Sequence, residues 1–242
     1  MDILEKRFSE LAERAEERFY TTYSDFLNLE EESVLNTLHF NIEHRLFGGY
    51  EGAERCIAAF GYDIHNRNYP IKIIKAEPVS AKFADALSHR DFLGSLMGLG
   101  IKREVLGDII IAENTGYIFC LDTIAEYIVQ NLGKVRHTVV KCSIVDKLPQ
   151  TAMQKPQDTQ LTAASERLDV IVSAVYNLSR SAVKELFTAR KIYVNSRLCE
   201  NFSYNPKPDD RISVRGKGRF IYRGVLHNTK KNRLVISIEI YK

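Results

Sequence analysis

No CxxC pair occurs among the four cysteines, Cys56, Cys120, Cys142 and Cys199. Their wide separation argues against a zinc site or a disulfide framework and for a reducing, cytoplasmic setting. Three of the four have apolar neighbours and read as core. No apolar run approaches the roughly 20 residues that span a bilayer, so no membrane insertion is expected. The start, MDILEKRFSELAER, is amphipathic and acid-rich and lacks the apolar core of a secretory signal. Neither GxGxxG nor GxxxxGK[ST] occurs, which excludes the common Gly-rich nucleotide cradles, and no cofactor is expected.

What is present is a soluble globular composition, 45% hydrophobic and 27% charged, over 242 residues. That length allows two or three domains. The net charge of +3 conceals a strong asymmetry. Residues 1–60 hold 6 Lys/Arg against 13 Asp/Glu, residues 61–164 hold 12 against 11, and residues 165–242 hold 16 against 7. A basic final third behind an acidic start points to a nucleic-acid module on a carrier. The alternative is a solvated basic face without a ligand.

The fold class expected is α+β. Residues 1–68 read as a helical region. Leu4, Phe8, Leu11, Ala15, Phe19, Tyr23 and Phe26 mark one helix over residues 1–27. Asn28 and Glu31 have capping-box spacing for a second, carrying Leu35, Leu38, Ile42 and Leu46 and ended by Gly48–Gly49. The turn GGYEGAER, Gly48 to Arg55, has two readings: backbone N–H groups aimed at an anion, or a tight helix–helix connection, which is favoured.

Residues 69–146 read as strand 71–79, helix 88–100, strands 107–112 and 116–121 about an ENTG turn, helix 123–133 and strand 137–145. Ser88 and Asp91 have capping-box spacing, and Phe92, Leu93, Leu96 and Met97 form the first helix's apolar face. This β-α-β-β-α-β order is the ferredoxin-like arrangement that RNA-recognition domains use. Tyr117 and Phe119 share a face of the third strand, either to stack bases or to pack against a helix. His89, Arg90, Lys102 and Arg103 bracket the first helix as a possible second RNA contact. Residues 147–164, rich in Gln, Thr and Ala with two prolines, read as a linker.

The terminal module, residues 165–242, opens with two short helices. Ser165 can cap one over 166–176, with Leu168, Ile171, Val172 and Val175 inward. Ser179 can cap the next, from Arg180, with Val183, Leu186 and Phe187 inward. Arg180, Lys184, Thr188 and Lys191 then fall on one stripe with Ser181 beside it. Cations and hydroxyls beside a helix N-terminus suit phosphates. Strands KIYVN, RISVRG (Arg211, Ser213 and Arg215 outward) and LVISIEIYK follow, with Lys217 and Arg219 in VRGKGRF. No acid–base pair, metal cluster or nucleophile accompanies them.

Residues 165–225 resemble the alpha-L RNA-binding domain of a small-subunit ribosomal protein, bacterial tyrosyl-tRNA synthetases, many pseudouridine synthases and heat-shock protein 15. The resemblance lies in Arg167-Leu168-Asp169, Leu178-Ser179-Arg180-Ser181, IYVN, Asp210, Ile212 and VRGKGRF. It implies phosphate contacts by Arg167, Ser179, Arg180, Lys184, Arg215 and Arg219. The chain departs from it at Arg190, Ser196 and Asp209, where glycine is usual, so Arg190 has to adopt a positive φ. Acidic N-terminal helices, GGYEGAER, SHRDFLGSLMGLGIKRE–GDI and the terminal alpha-L module together resemble the bacterial YlmH-like proteins. That resemblance implies a non-enzymatic, cytoplasmic protein that binds rRNA and tRNA on the large ribosomal subunit and rescues stalled peptidyl-tRNA complexes. It also implies quality-control or cell-division proteins as partners. The competing class is an RNA-modifying enzyme, of pseudouridine synthase or methyltransferase type, with the terminal domain as its RNA handle. No catalytic Asp outside Arg167-Leu168-Asp169 and no Gly-rich turn after a strand supports it.

Overall fold

A computed structural model describes the chain except Met1, Asp2, Arg67, Ala81, Phe83, Gln154, Lys155 and Lys242, with Asn66 described by its backbone alone. Gln154 and Lys155 of the expected linker, and the first two residues of the expected first helix, therefore lie outside the described residues. The chain divides into two compact units, residues 1–31 with 37–153, and residues 32–36 with 154–242. Helices and sheets are mixed, as the α+β expectation requires.

The N-terminal region is not a helical hairpin. Helix α1 (Ile3–Arg18) buries Phe8, Ala12 and Ala15 and stops short of Phe19, which is exposed and has a φ of 54°. Strands β1 (Thr22–Leu27), β2 (His44–Phe47) and β3 (Cys56–Phe60) form an antiparallel sheet in the order β1-β3-β2. The inward positions of β1 include Thr22 and Ser24, which hid its alternation. Thr22 donates to the Leu11 carbonyl and Ser24 accepts from the Ala58 N–H, so their burial is satisfied. The capping box at Asn28 is real: Asn28 Oδ1 accepts from Glu30 and Glu31, and Glu31 accepts from the Asn28 N–H. Helix α2 (Leu29–Leu35) that it starts is only two turns long, and Leu46 lies on β2.

Strands β4 (Ile71–Pro78), β5 (Leu106–Ala112), β6 (Thr115–Leu121), β7 (Lys134–Val135) and β8 (Thr138–Val145) form an antiparallel sheet in the order β5-β6-β4-β8-β7. Helices α3 (His89–Gly98) and α4 (Asp122–Asn131) pack on one face through Phe92, Leu96, Ala125 and Ile128. Met97, expected on the apolar face, is 47% exposed. Asp91 accepts from the Ser88 N–H as its spacing requires, and Glu113–Asn114, both at positive φ, make the two-residue turn between β5 and β6.

In the second unit the segment expected as linker contains strand β9 (Gln157–Ala163). It pairs along β14 (Leu234–Tyr241) from Ala163↔Leu234 to Gln157↔Ile240, in a six-stranded sheet ordered β11-β10-β12-β13-β14-β9. The other strands are β10 (Ile192–Val194), β11 (Arg197–Leu198), β12 (Arg211–Val214) and β13 (Gly218–Asn228). Helices α5 (Leu168–Tyr176) and α6 (Arg180–Thr188) pack on this sheet, burying Leu168, Ile171, Val172, Val183 and Phe187 against Ile192, Ile212, Phe220 and Ile236. Ser213, expected outward, is buried. Of the cysteines, Cys120 alone is fully buried; Cys142 and Cys199 pack partly against the two cores.

Candidate nucleic-acid interface

The α5–α6 connection is fixed by local chemistry. Asn177 ends α5 in a left-handed conformation, and Ser173 donates to the Leu178 carbonyl at 2.7 Å. Ser179 then caps α6, its hydroxyl accepting from the Ala182 N–H at 3.2 Å and lying 2.9 Å from the Ser181 hydroxyl. Ser165 does not cap α5. That helix begins at Leu168, and the N–H groups of Leu168 and Asp169 donate to the carbonyls of Tyr204 and Phe202.

This connection leaves a concavity of about 850 Å³. Arg167, Arg180 and Lys184 line it, joined by Arg233 just before β14, a residue not expected from the sequence. The available signal was the run NTKKNR between two strands, in which Lys230, Lys231 and Arg233 are all exposed. Asp169 is the carboxylate in the same cleft, held by Arg167 at 2.8 and 3.1 Å. Arg167 is therefore partly neutralised and positioned by Asp169.

The remaining basic residues lie elsewhere on the module. Thr188 ends α6 and Lys191 falls beyond it, so the helical stripe comprises Arg180, Lys184 and Thr188 only. Lys191 is instead joined to Arg215, whose N–H donates to its carbonyl at 2.9 Å. Lys217 occupies the β12–β13 turn, and Arg219 lies over the Tyr241 ring at 4.2 Å. The expected residues thus divide: Arg167, Arg180 and Lys184 line the cleft, Lys191, Arg215, Lys217 and Arg219 lie at a sheet end, and Ser179, Ser181 and Thr188 belong to α6 and its cap outside the cleft's lining.

The module is braced by Asp210, which is buried. It accepts from Tyr204 Oη, Asn195 Nδ2 and the Lys207 N–H at 2.7 to 2.8 Å. Burial alone would raise its pKa, but these donors outweigh burial and hold it below the ordinary value. Burial and the same Asp210 carboxylate push the Tyr204 phenol up to about 12.

In the first unit, the sheet face that RNA-recognition domains leave open is covered. Phe119 is fully buried and Tyr117 nearly so, packed with Phe26, Ile57, Leu148 and Ala152 rather than against an α-helix. The GGYEGAER turn joins β2 to β3, not two helices. Its N–H groups do meet an anion, the chain's own: Asp108 accepts from the N–H groups of Glu54 and Arg55 and from Tyr50 Oη. Tyr50 also lies 5.0 Å from the Phe119 ring.

Of the four residues around α3, His89 and Arg103 lie within electrostatic reach of each other, but the four do not form one exposed cluster. Arg103 turns inward and donates to the carbonyls of Leu106 and Gly107; burial, aided by neighbouring Arg55, lowers its pKa to about 10. Burial and Arg103 also lower that of His89. Lys102 pairs with Glu104 at 3.7 Å, past the opposite end of α3 from the exposed Arg90, and a helix of ten residues is about 15 Å long. Among the described residues no cluster of His, Cys, Asp or Glu is placed to hold a metal, and no helix is long and apolar enough to cross a membrane.

Residues 65–148 match the family model described as "Putative RNA-binding domain in YlmH". The chain is similar to ribosome-associated protein quality control protein P2 of Bacillus subtilis (strain 168), with 26% identity over 242 residues, covering 94% of this chain and 90% of that protein. It also aligns with the solved structure of cell division protein ylmH from Streptococcus pneumoniae at 20% identity and a TM-score of 0.47, over 60% of this chain and 93% of that one. The YlmH-like resemblance expected from the sequence is borne out.

Proposed function

We propose that this chain is a non-enzymatic RNA-binding protein of ribosome-associated quality control. It contacts rRNA and tRNA on the large subunit and acts on stalled peptidyl-tRNA complexes. Its residues 165–242 are an alpha-L module that grips the RNA backbone, and the first unit supplies further contacts through Arg90 and Lys102.

The observation that carries this reading is the convergence of Arg167, Arg180, Lys184 and Arg233 on one cleft beside the N-terminus of α6. Guanidinium and ammonium groups beside helix N–H groups suit phosphate oxygens and read no sequence by themselves. The relatedness to a quality-control protein supports the ribosomal setting, and the sheet end with Lys191, Arg215, Lys217 and Arg219 extends the basic surface.

The test is crosslinking of the protein to RNA in cells followed by sequencing of the bound RNA. Enrichment of large-subunit rRNA and tRNA, lost in the Arg180→Ala/Lys184→Ala variant, is expected. Enrichment of messenger RNA alone, or a double variant that crosslinks like the wild type, would overturn the reading.

A further inference from the structure

The lining of the α5–α6 cleft is more varied than a phosphate grip requires. Its lining also includes apolar residues: the exposed Ala174, the half-buried Leu178 and Phe202, and the buried Val183. Phe202 is backed by Phe187, with ring centroids 4.5 Å apart. Asp169 and Asn177 also line the cleft.

The Asp169 carboxylate, already paired with Arg167, attracts no phosphodiester, and apolar side chains do nothing for one. Both suit a nucleobase, which has an apolar face to bury and an edge of donors and acceptors. Carboxylates accept from exocyclic amino groups, and the backbone phosphates that accompany a base suit the surrounding cations. A concavity of about 850 Å³ has room for a nucleotide but not for a duplex.

Arg233 sets the geometry. It belongs to the tip of the long β13–β14 hairpin, where Asn228 pairs with Leu234 and the Thr229 hydroxyl accepts from the Arg233 N–H at 3.0 Å. The adjacent Ala163↔Leu234 pair ties the tip to β9, so this side of the cleft is built by the strand that replaced the expected linker.

We infer that the cleft receives one unpaired nucleotide extruded from a structured RNA. The base lies on Ala174, Leu178 and Phe202 with its edge toward Asp169 and Asn177. Its phosphate meets Arg180, Lys184 and the α6 N-terminus, and Arg233 closes the far side. This rests on the RNA-binding reading and adds the form of RNA recognised.

The experiment compares the full-length protein's affinity for two RNA hairpins identical except for a single bulged nucleotide in one. The wild type is expected to prefer the bulged hairpin by about tenfold, the scale of one base-stacking contact. In Ala174→Phe, which fills the cleft from an exposed helix position, the ratio should fall to near one. Arg233→Ala should reduce it too, and a thermal melt identifies any variant that has failed to fold. Equal affinity of the wild type for both RNAs, or a ratio unchanged in both folded variants, overturns the inference and leaves RNA binding intact. Failure to bind either RNA overturns RNA binding itself, and this inference with it.

Discussion

Arg190, Ser196 and Asp209 all have positive φ, at 54°, 60° and 72°. These are the three positions where the resembling domain usually has glycine, so their backbone geometry was legible in the sequence. A left-handed conformation costs a side-chain-bearing residue roughly 1–2 kcal/mol, part of which glycine returns through unfolded-chain entropy. Arg190→Gly should therefore stabilise the second unit by up to about 1 kcal/mol in chemical denaturation while weakening RNA binding by loss of a cation. Destabilisation by this change would show that Arg190 is held by contacts stronger than its strain. Asp210 is a residue of the opposite kind. Its three donors would be left unsatisfied in Asp210→Ala, at a cost of about 1–3 kcal/mol at neutral pH. Because its folded pKa is depressed, this stabilisation is complete above the unfolded value near 4 and is lost as pH falls through the lower folded value. Urea melts of wild type and variant should accordingly converge below pH 4 and separate above it. A gap that persists unchanged at pH 3 would contradict the linkage.

At the scale of elements, those with both a boundary signal and a matching period were legible. The α3 and α6 starts follow from Ser88/Asp91 and Ser179, and the β5–β6 turn follows from Asn114 and its neighbours. Strands whose inward side chains are polar were not. The inward Thr22 and Ser24 made β1 look like the end of α1. Strand β9 has only Ala163 buried along its length and is held by backbone pairing to β14, which no hydrophobic pattern records. Because the N-terminal sheet has no legible pattern, the sequence leaves the face bearing Tyr117 and Phe119 between stacking bases and packing against a helix, when Phe26, Ile57, Leu148 and Ala152 close it. Gly49 shows how tightly: at φ 97°, an added Cβ would come within 2.6 Å of the Phe119 ring. Gly49→Ala should cost the first unit about 1–3 kcal/mol by overpacking, with additional backbone strain. The measurement is the unfolding midpoint of the full chain, and an unchanged midpoint would mean that the turn does not rest on the ring.

For the whole molecule, the basic balance of residues 165–242, 16 Lys/Arg against 7 Asp/Glu, matches the unit in which cations converge. Much of the acidic start lies at ordinary solvated positions, such as Glu10, Glu13 and Glu17 on α1, although Glu32 is buried. The charge asymmetry points to the C-terminal unit. It did not distinguish Arg103, spent on backbone carbonyls, from Arg180 and Lys184, which line the cleft. Nor did it identify Arg233, which pairing of β14 with β9 and β13 brings to the helices' cleft.

The most direct measurement is the affinity of the full-length protein for structured RNA as a function of salt. With about six phosphates contacted, affinity should fall by about a thousandfold or more between roughly 50 and 200 mM salt. Arg180→Ala/Lys184→Ala should weaken binding to many RNA sequences alike and reduce the salt slope by about two. A salt-independent affinity, or a double variant with wild-type affinity and slope, would contradict the account.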